Sequence, residues 1–151
     1  MVIGAIFAGG IGSRMGSADM PKQYLQLGSK PIIVHTIEKF VVNPGIDRII
    51  VLCPKAWIAH TRDIVKKYLG AEIAEKISIV EGGATRNGTL ENALKFVNDN
   101  FDIDSDSVIV THDAVRPFVT HRIISENIEA AEKYGACDTV IPATDTIVRS
   151  E

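Results

Sequence analysis

The stretch Val2-Ile3-Gly4-Ala5-Ile6-Phe7-Ala8 runs directly into Gly9-Gly10-Ile11-Gly12-Ser13-Arg14-Met15-Gly16, with Pro21-Lys22-Gln23 close behind. Its first part is an uncharged apolar run with no polar alternation, the pattern of a strand buried on both faces. No basic segment precedes it, so it reads as a strand rather than a secretion signal. In the second part, glycines let the backbone turn several N–H groups toward an anion. Arg14 and Lys22 add positive charge to the same loop. A strand ending in a cationic, glycine-rich loop is a candidate phosphate edge.

The same alternation continues along the chain. Strand candidates are Val2–Ala8, Arg48–Cys53, Ile77–Val80, Val108–Thr111 and Thr139–Ile141. Between them, helical spacing of apolar residues predicts helices over Pro31–Val42, Trp57–Leu69, Thr89–Val97 and Arg122–Tyr134. Pro31 suits a first helical position, Thr120 an N-cap, and Gly70 and Gly135 helix ends. Strands alternating with helices require crossovers and a parallel sheet. The expected fold is a three-layer, Rossmann-like α/β domain over residues 1–151, a mostly parallel sheet with helices on both faces.

Composition narrows the function classes. The chain has 151 residues and 16 Lys+Arg against 19 Asp+Glu, a net charge of -3. That argues against nucleic-acid binding through a broadly basic surface, though not against a small cationic pocket. Hydrophobic residues at 46% and charged residues at 23% exclude wholesale disorder. The two cysteines, Cys53 and Cys137, suit no disulfide framework or Cys-rich zinc site and are expected to be reduced core residues. No apolar run approaches the roughly 18 residues of a membrane span, so no membrane association and a cytoplasmic location are expected.

In parallel sheets, ligands bind beyond the carboxyl ends of the strands, and the unusual residues fall there. The first loop fails both standard phosphate motifs. No Walker A string occurs, and the dinucleotide fingerprint fits at Gly10 and Gly12 but has Met15 at its third glycine. A plain glycine turn with solvated cations remains open. The second loop, Glu81-Gly82-Gly83-Ala84-Thr85-Arg86-Asn87-Gly88-Thr89, offers another backbone-lined edge, and an ordinary loop is an equal reading. The third, Thr111-His112-Asp113-Ala114-Val115-Arg116-Pro117, ends a strand with a carboxylate able to meet Mg²⁺. Its Arg116 can hold phosphate bidentately. The alternative there is an Asp–Arg pair closing the loop, with His112 as a structural hydrogen-bonder. The fourth, Asp145-Thr146, reads as a turn when taken alone.

Taken together, in order and over nearly the whole chain, these strings resemble the nucleotidyltransferases that transfer CMP onto sugar or polyol phosphates. The resemblance implies CTP as donor, Mg²⁺ or another divalent cation, and no covalent enzyme intermediate. It implies Arg14 and Lys22 as catalytic residues on the triphosphate. Phe7, Ala8, Gly9, Gly10 and Gly12, with Gly82, Gly83, Arg86, Gly88 and Thr89, become the nucleotide edges. Asp113 becomes the residue near the metal and the acceptor, while Arg116 and Thr146 hold the acceptor phosphate. Ala84 departs from the Asp common in the family. Phe7-Ala8-Gly9-Gly10, Ala114-Val115-Arg116-Pro117-Phe118 and Val148 resemble the branch acting on ribitol 5-phosphate for teichoic acid more than the methylerythritol phosphate branch of isoprenoid synthesis. Family chains continue further, with an arm that pairs subunits. A homodimer, and a further C-terminal portion, are therefore expected of the full-length protein. A non-catalytic nucleotide-binding module and a transferase of another sugar pathway stay open.

Overall fold

The computed structural model describes residues 1–10, 20–144, 146 and 148. Among them, four strands form one parallel sheet: β1 (Val2–Phe7), β4 (Arg48–Cys53), β5 (Ile77–Glu81) and β6 (Val108–Asp113). Their order is β5-β4-β1-β6, so the chain starts in the interior, moves outward on one side and returns to the other. A short antiparallel pair, β2 (Gln26–Leu27) and β3 (Lys30–Pro31), lies outside this sheet. The helices are α1 (Ile32–Val41), α2 (Ile58–Leu69), α3 (Ala71–Ala74), α4 (Arg86–Asn100) and α5 (His121–Tyr134).

Side chains along β1 and β4 alternate between two apolar cores. Val2, Ile6, Ile49, Val51 and Cys53 pack with Ile33, Val34, Ile37 and Phe40 of α1, Ile64 and Val65 of α2, and Ile124 and Ile128 of α5. Ile3, Ala5, Ile50 and Leu52 pack with Ala93 and Val97 of α4 on the opposite face. This is the expected three-layer, mostly parallel arrangement. Burying each large aliphatic side chain contributes about 1.5–3 kcal/mol, so each face must be covered. On the α1 face the packing is tight: a Cβ built on Gly4 would lie 2.6 Å from Phe40 Cδ1.

Most boundaries shift by one to three residues, two of them with a visible cause, and one element differs from the expectation. Pro31 is the N-cap of α1 rather than its first residue, because its extended backbone pairs with Gln26. Helix α4 begins one turn early, at Arg86, because the Thr85 side chain accepts from Gly88 N–H at 3.0 Å. Thr120 caps α5 as expected, accepting from Ile123 N–H at 3.3 Å. The fifth strand, Thr139–Ile141, does not form: Val140 and Ile141 are 79% and 82% exposed, and no strand pairs with them. Branched side chains favour a strand only when a neighbour supplies ladder partners and burial. Here the segment is held through its side chains, Thr139 Oγ1 accepting from Asn127 Nδ2 at 2.7 Å. Cys137 is likewise exposed rather than in the core.

Candidate active site

The carboxyl ends of β1 and β6 lie side by side, Phe7 opposite Asp113. The chain's outward and return paths separate there, which is where parallel sheets bind ligands. The loops after β1, β5 and β6 converge on a cavity of about 530 Å³, a size suited to a small molecule. Ala8 closes its inner end, its N–H donating to the Leu52 carbonyl at 2.7 Å.

The second glycine loop is braced from within. Gly83 N–H donates to Thr89 Oγ1 at 3.1 Å, and that hydroxyl donates to the Thr85 carbonyl at 2.9 Å. A Cβ on Gly83 would sit 2.3 Å from the Gly88 carbonyl carbon. Glycine at 83 therefore lets the loop close against the first turn of α4. Thr89, read from sequence as a nucleotide contact, spends its hydroxyl on this brace.

Charge collects where the loops meet. Asp113 Oδ2 accepts from Arg116 Nε at 3.0 Å, while Oδ1 accepts from Arg86 Nη1. The Arg86 guanidinium also lies 5.3 Å from the centroid of the Phe7 ring, a cation–π contact. The third loop is pinned from below: His112 Nε2 donates to the Arg116 carbonyl at 3.0 Å, and Thr36 Oγ1 donates to the Ala114 carbonyl at 2.8 Å. His112 is thus the structural hydrogen-bonder expected. A larger open groove, about 1440 Å³, runs between β6 and α5 and shares Arg86 and Asp113 with the cavity; Arg116 and Phe118 line the groove alone.

Lys22 reaches the cavity from a single 3-10 turn, Lys22–Tyr24. The next two residues are buried. Gln23 Nε2 donates to the Ala8 carbonyl at 2.5 Å. The Tyr24 ring stacks on Trp57 at 4.7 Å, and its hydroxyl meets Thr61 Oγ1 at 2.8 Å. Burial pushes the Tyr24 phenol above its ordinary range, opposed by the bond to Thr61. Burial also raises the nearby Cys53 thiol, so it is a poor nucleophile.

Of the residues singled out from sequence, Phe7, Ala8, Gly9, Gly10, Lys22, Gly83, Arg86, Thr89 and Asp113 line the cavity. Gly82 and Gly88 do not: Gly82 N–H donates to the Cys53 carbonyl at 2.9 Å, and Gly88 N–H serves the cap of α4. Arg116 reaches the site through Asp113 and lines the groove instead. Thr146 is exposed and lines neither space. Gly12, Arg14 and Asp145 lie outside the described residues. Gln23, Ala84, Thr85 and Val115 complete the lining. Ala84 and Thr85 belong to the second loop, already read as a backbone-lined edge, while the neutral side chains of Gln23 and Val115 carry no chemical signal of their own.

The donor set constrains any cation here. Asp113 is the one carboxylate lining the cavity among the described residues, and both its oxygens are engaged by guanidinium groups. No cluster of three His, Cys, Asp or Glu side chains able to hold a metal occurs among those residues. That does not fit a metal caged by the protein. A hard divalent cation carried in by phosphate oxygens would need Asp113 to exchange a guanidinium partner before it could serve as a carboxylate ligand. No helix among the described residues is long and apolar enough to cross a membrane.

Comparison with known proteins finds relatives over nearly the whole chain. The chain is 52% identical over 99% of its length to ribitol-5-phosphate cytidylyltransferase from Lactiplantibacillus plantarum, and spans 63% of that protein. It is 31% identical to 2-C-methyl-D-erythritol 4-phosphate cytidylyltransferase from Francisella tularensis, with a TM-score of 0.65, covering 87% of this chain and 52% of that one. A 4-diphosphocytidyl-2C-methyl-D-erythritol synthase structure matches the fold with a TM-score of 0.74 at 23% identity, over 99% of this chain and 63% of that one. Residues 2–151 match the profile of one family. With its parallel sheet and glycine-loop cavity, the chain belongs to the 2-C-methyl-D-erythritol 4-phosphate cytidylyltransferase (IspD) family.

Proposed function

We propose that this chain carries the nucleotide-binding part of a cytidylyltransferase that transfers CMP from CTP to D-ribitol 5-phosphate, yielding CDP-ribitol and pyrophosphate. The observation that carries the transfer chemistry is one cavity lined together by Lys22, Arg86 and the glycines Gly9, Gly10 and Gly83. The 52% identity to the Lactiplantibacillus plantarum enzyme supports ribitol 5-phosphate as acceptor.

In this reading a phosphate oxygen of the acceptor attacks the α-phosphorus of CTP in line. The new P–O bond forms as the bond to pyrophosphate breaks. Negative charge builds on the α-phosphoryl oxygens, and preorganised cations lower that barrier. Lys22 serves there, with Arg14 assigned the same role on the family resemblance. The glycine loops hold cytosine and ribose through backbone groups. Arg116, facing the groove beside the cavity, receives the acceptor phosphate; Thr146, which lines neither space, is assigned to that phosphate on the family resemblance alone. Asp113, with the triphosphate, would hold a divalent cation, which would supply charge neutralisation.

The product serves teichoic acid synthesis in this reading. A cytoplasmic location follows from the CTP supply, and homodimerisation of the full-length protein rests on the family resemblance alone. The test is pyrophosphate release by the full-length protein with CTP and Mg²⁺. Release with ribitol 5-phosphate, and not with methylerythritol 4-phosphate, is the expected result. The second reading, methylerythritol 4-phosphate as acceptor, is favoured by the family profile's own description. It wins if only that substrate reacts. CTP binding without pyrophosphate release with either acceptor would leave a nucleotide-binding module.

A further inference from the structure

Lys22 sits on a turn too short to hold itself, since a single 3-10 turn has few internal hydrogen bonds. The turn is instead held at two points, through the side chains of Gln23 and Tyr24. Gln23 is 1% exposed and donates to the Ala8 carbonyl at the end of β1. Tyr24 is 2% exposed and reaches across to α2, where Thr61 is fully buried. Thr61 Oγ1 donates to the Trp57 carbonyl at 2.7 Å, which leaves it to accept from the Tyr24 hydroxyl at 2.8 Å. Trp57 completes the clamp by stacking on the Tyr24 ring with planes 15° apart.

Replacing a buried hydrogen-bonded pair such as Tyr24 and Thr61, which joins the turn to α2, by apolar groups of the same shape can be nearly neutral for stability. The use of the pair is directional. It fixes where the turn lies along α2, as the Gln23 bond fixes its distance from β1. We propose that Gln23, Tyr24 and Thr61 are positioning residues that set the Lys22 ammonium in the cavity. The proposal rests on the catalytic reading of Lys22 given above. A lysine's long stem is flexible, and its reach is reproducible only if its backbone is fixed. Misplacement by about 1 Å is enough to lower turnover up to 10²-fold.

The test is steady-state kinetics on the full-length protein with CTP and ribitol 5-phosphate. Tyr24→Phe and Thr61→Val should each lower kcat about tenfold, with the KM for CTP nearly unchanged. Thr61→Ser keeps the hydroxyl and should restore wild-type turnover. Tyr24→Phe combined with Thr61→Val should be no slower than Thr61→Val alone, because that variant already lacks the Tyr24–Thr61 bond along with those of Thr61 to the Trp57 carbonyl and Cys53 Sγ. In a Lys22→Ala background, Tyr24→Phe should cause no further loss. Thermal melts run in parallel identify any variant that fails to fold, and Thr61→Ser against Thr61→Val then carries the comparison. Wild-type kcat in folded Tyr24→Phe, with Lys22→Ala crippled, overturns the positioning role alone. So does an equal loss in the presence and absence of Lys22. Undiminished turnover in Lys22→Ala overturns the catalytic reading, and the positioning role falls with it.

Discussion

Asp113 and Arg116 stand three residues apart and face each other at 3.0 Å, with the carboxylate's other oxygen held by Arg86. The pair joins the cavity to the groove. Arg116 and Arg86 are 72% and 61% exposed in their side chains, so the ion pairs are solvent-screened. Such pairs stabilise a fold by about 0–1 kcal/mol. Asp113→Asn should therefore shift the urea unfolding free energy by less than about 1 kcal/mol. Turnover should fall by about 10²-fold or more, as for loss of a preorganised charged group. Parallel urea titration and pyrophosphate-release assays check both halves.

Lys22→Ala should lower turnover by about 10²–10³-fold, equivalent to about 2.7–4 kcal/mol, by analogy with removing one preorganised donor. Single-turnover formation of the CDP product at saturating CTP measures this. A wild-type rate would remove Lys22 from the mechanism.

Two glycines should respond differently to the same added methyl group. Gly83→Ala places a Cβ 2.3 Å from backbone at the start of α4, and Gly4→Ala places one 2.6 Å from the Phe40 ring. Each should lose about 1–3 kcal/mol of stability through overpacking. Only Gly83→Ala should also weaken CTP binding, since it moves the cavity wall. Calorimetric titration with CTP beside thermal melts separates the two effects.

The two thiols should differ in reactivity. Cys137 is exposed, and Cys53 is fully buried with its thiol pushed up by burial. An aromatic disulfide reagent should modify Cys137 quickly in the native chain and Cys53 only after denaturation. Peptide mapping of the labelled protein reads the order directly.

Stability should decline in alkali. The ordinary values are 9.0 for the Cys53 thiol and 10.0 for the Tyr24 phenol, and burial raises both in the fold. Below those values the folded and unfolded chains hold the same protons, and their contribution is fully present. As pH rises past them, the unfolded chain releases protons that the folded chain keeps, so the unfolding free energy falls. Urea midpoints should drop from pH 9 upward. Tyr24→Phe should flatten the part of that decline above pH 10.

Much of the fold is legible in the spacing of apolar residues. Arg48–Cys53 is a strand over the very residues its apolar run marks, and Val2–Phe7, Ile77–Glu81 and Val108–Asp113 differ by a residue or two at their ends. Thr139–Ile141 has the same local pattern and is not a strand, because pairing is not a local property. At the site, glycines, arginines and the strand-end carboxylate stand out by residue type. Gln23 and Tyr24 do not, since an amide and a phenol beside a lysine look like packing.

By itself the sequence determined where apolar faces and chain reversals lie, because burial on a strand or helix is written in the spacing of neighbouring residues. It also set which loops carry charge. Only the tertiary structure decided which groups share that charge. Arg86 and Asp113 are 27 residues apart, and Tyr24 and Thr61 are 37 apart. The first pair joins the start of α4 to the end of β6, and the second joins the Lys22–Tyr24 turn to α2. The net charge of -3 concealed this local gathering, because a sum over the chain carries no distances. Hydrogen bonds and ion pairs act over a few ångströms, so the function they serve is set by the packing that brings them together.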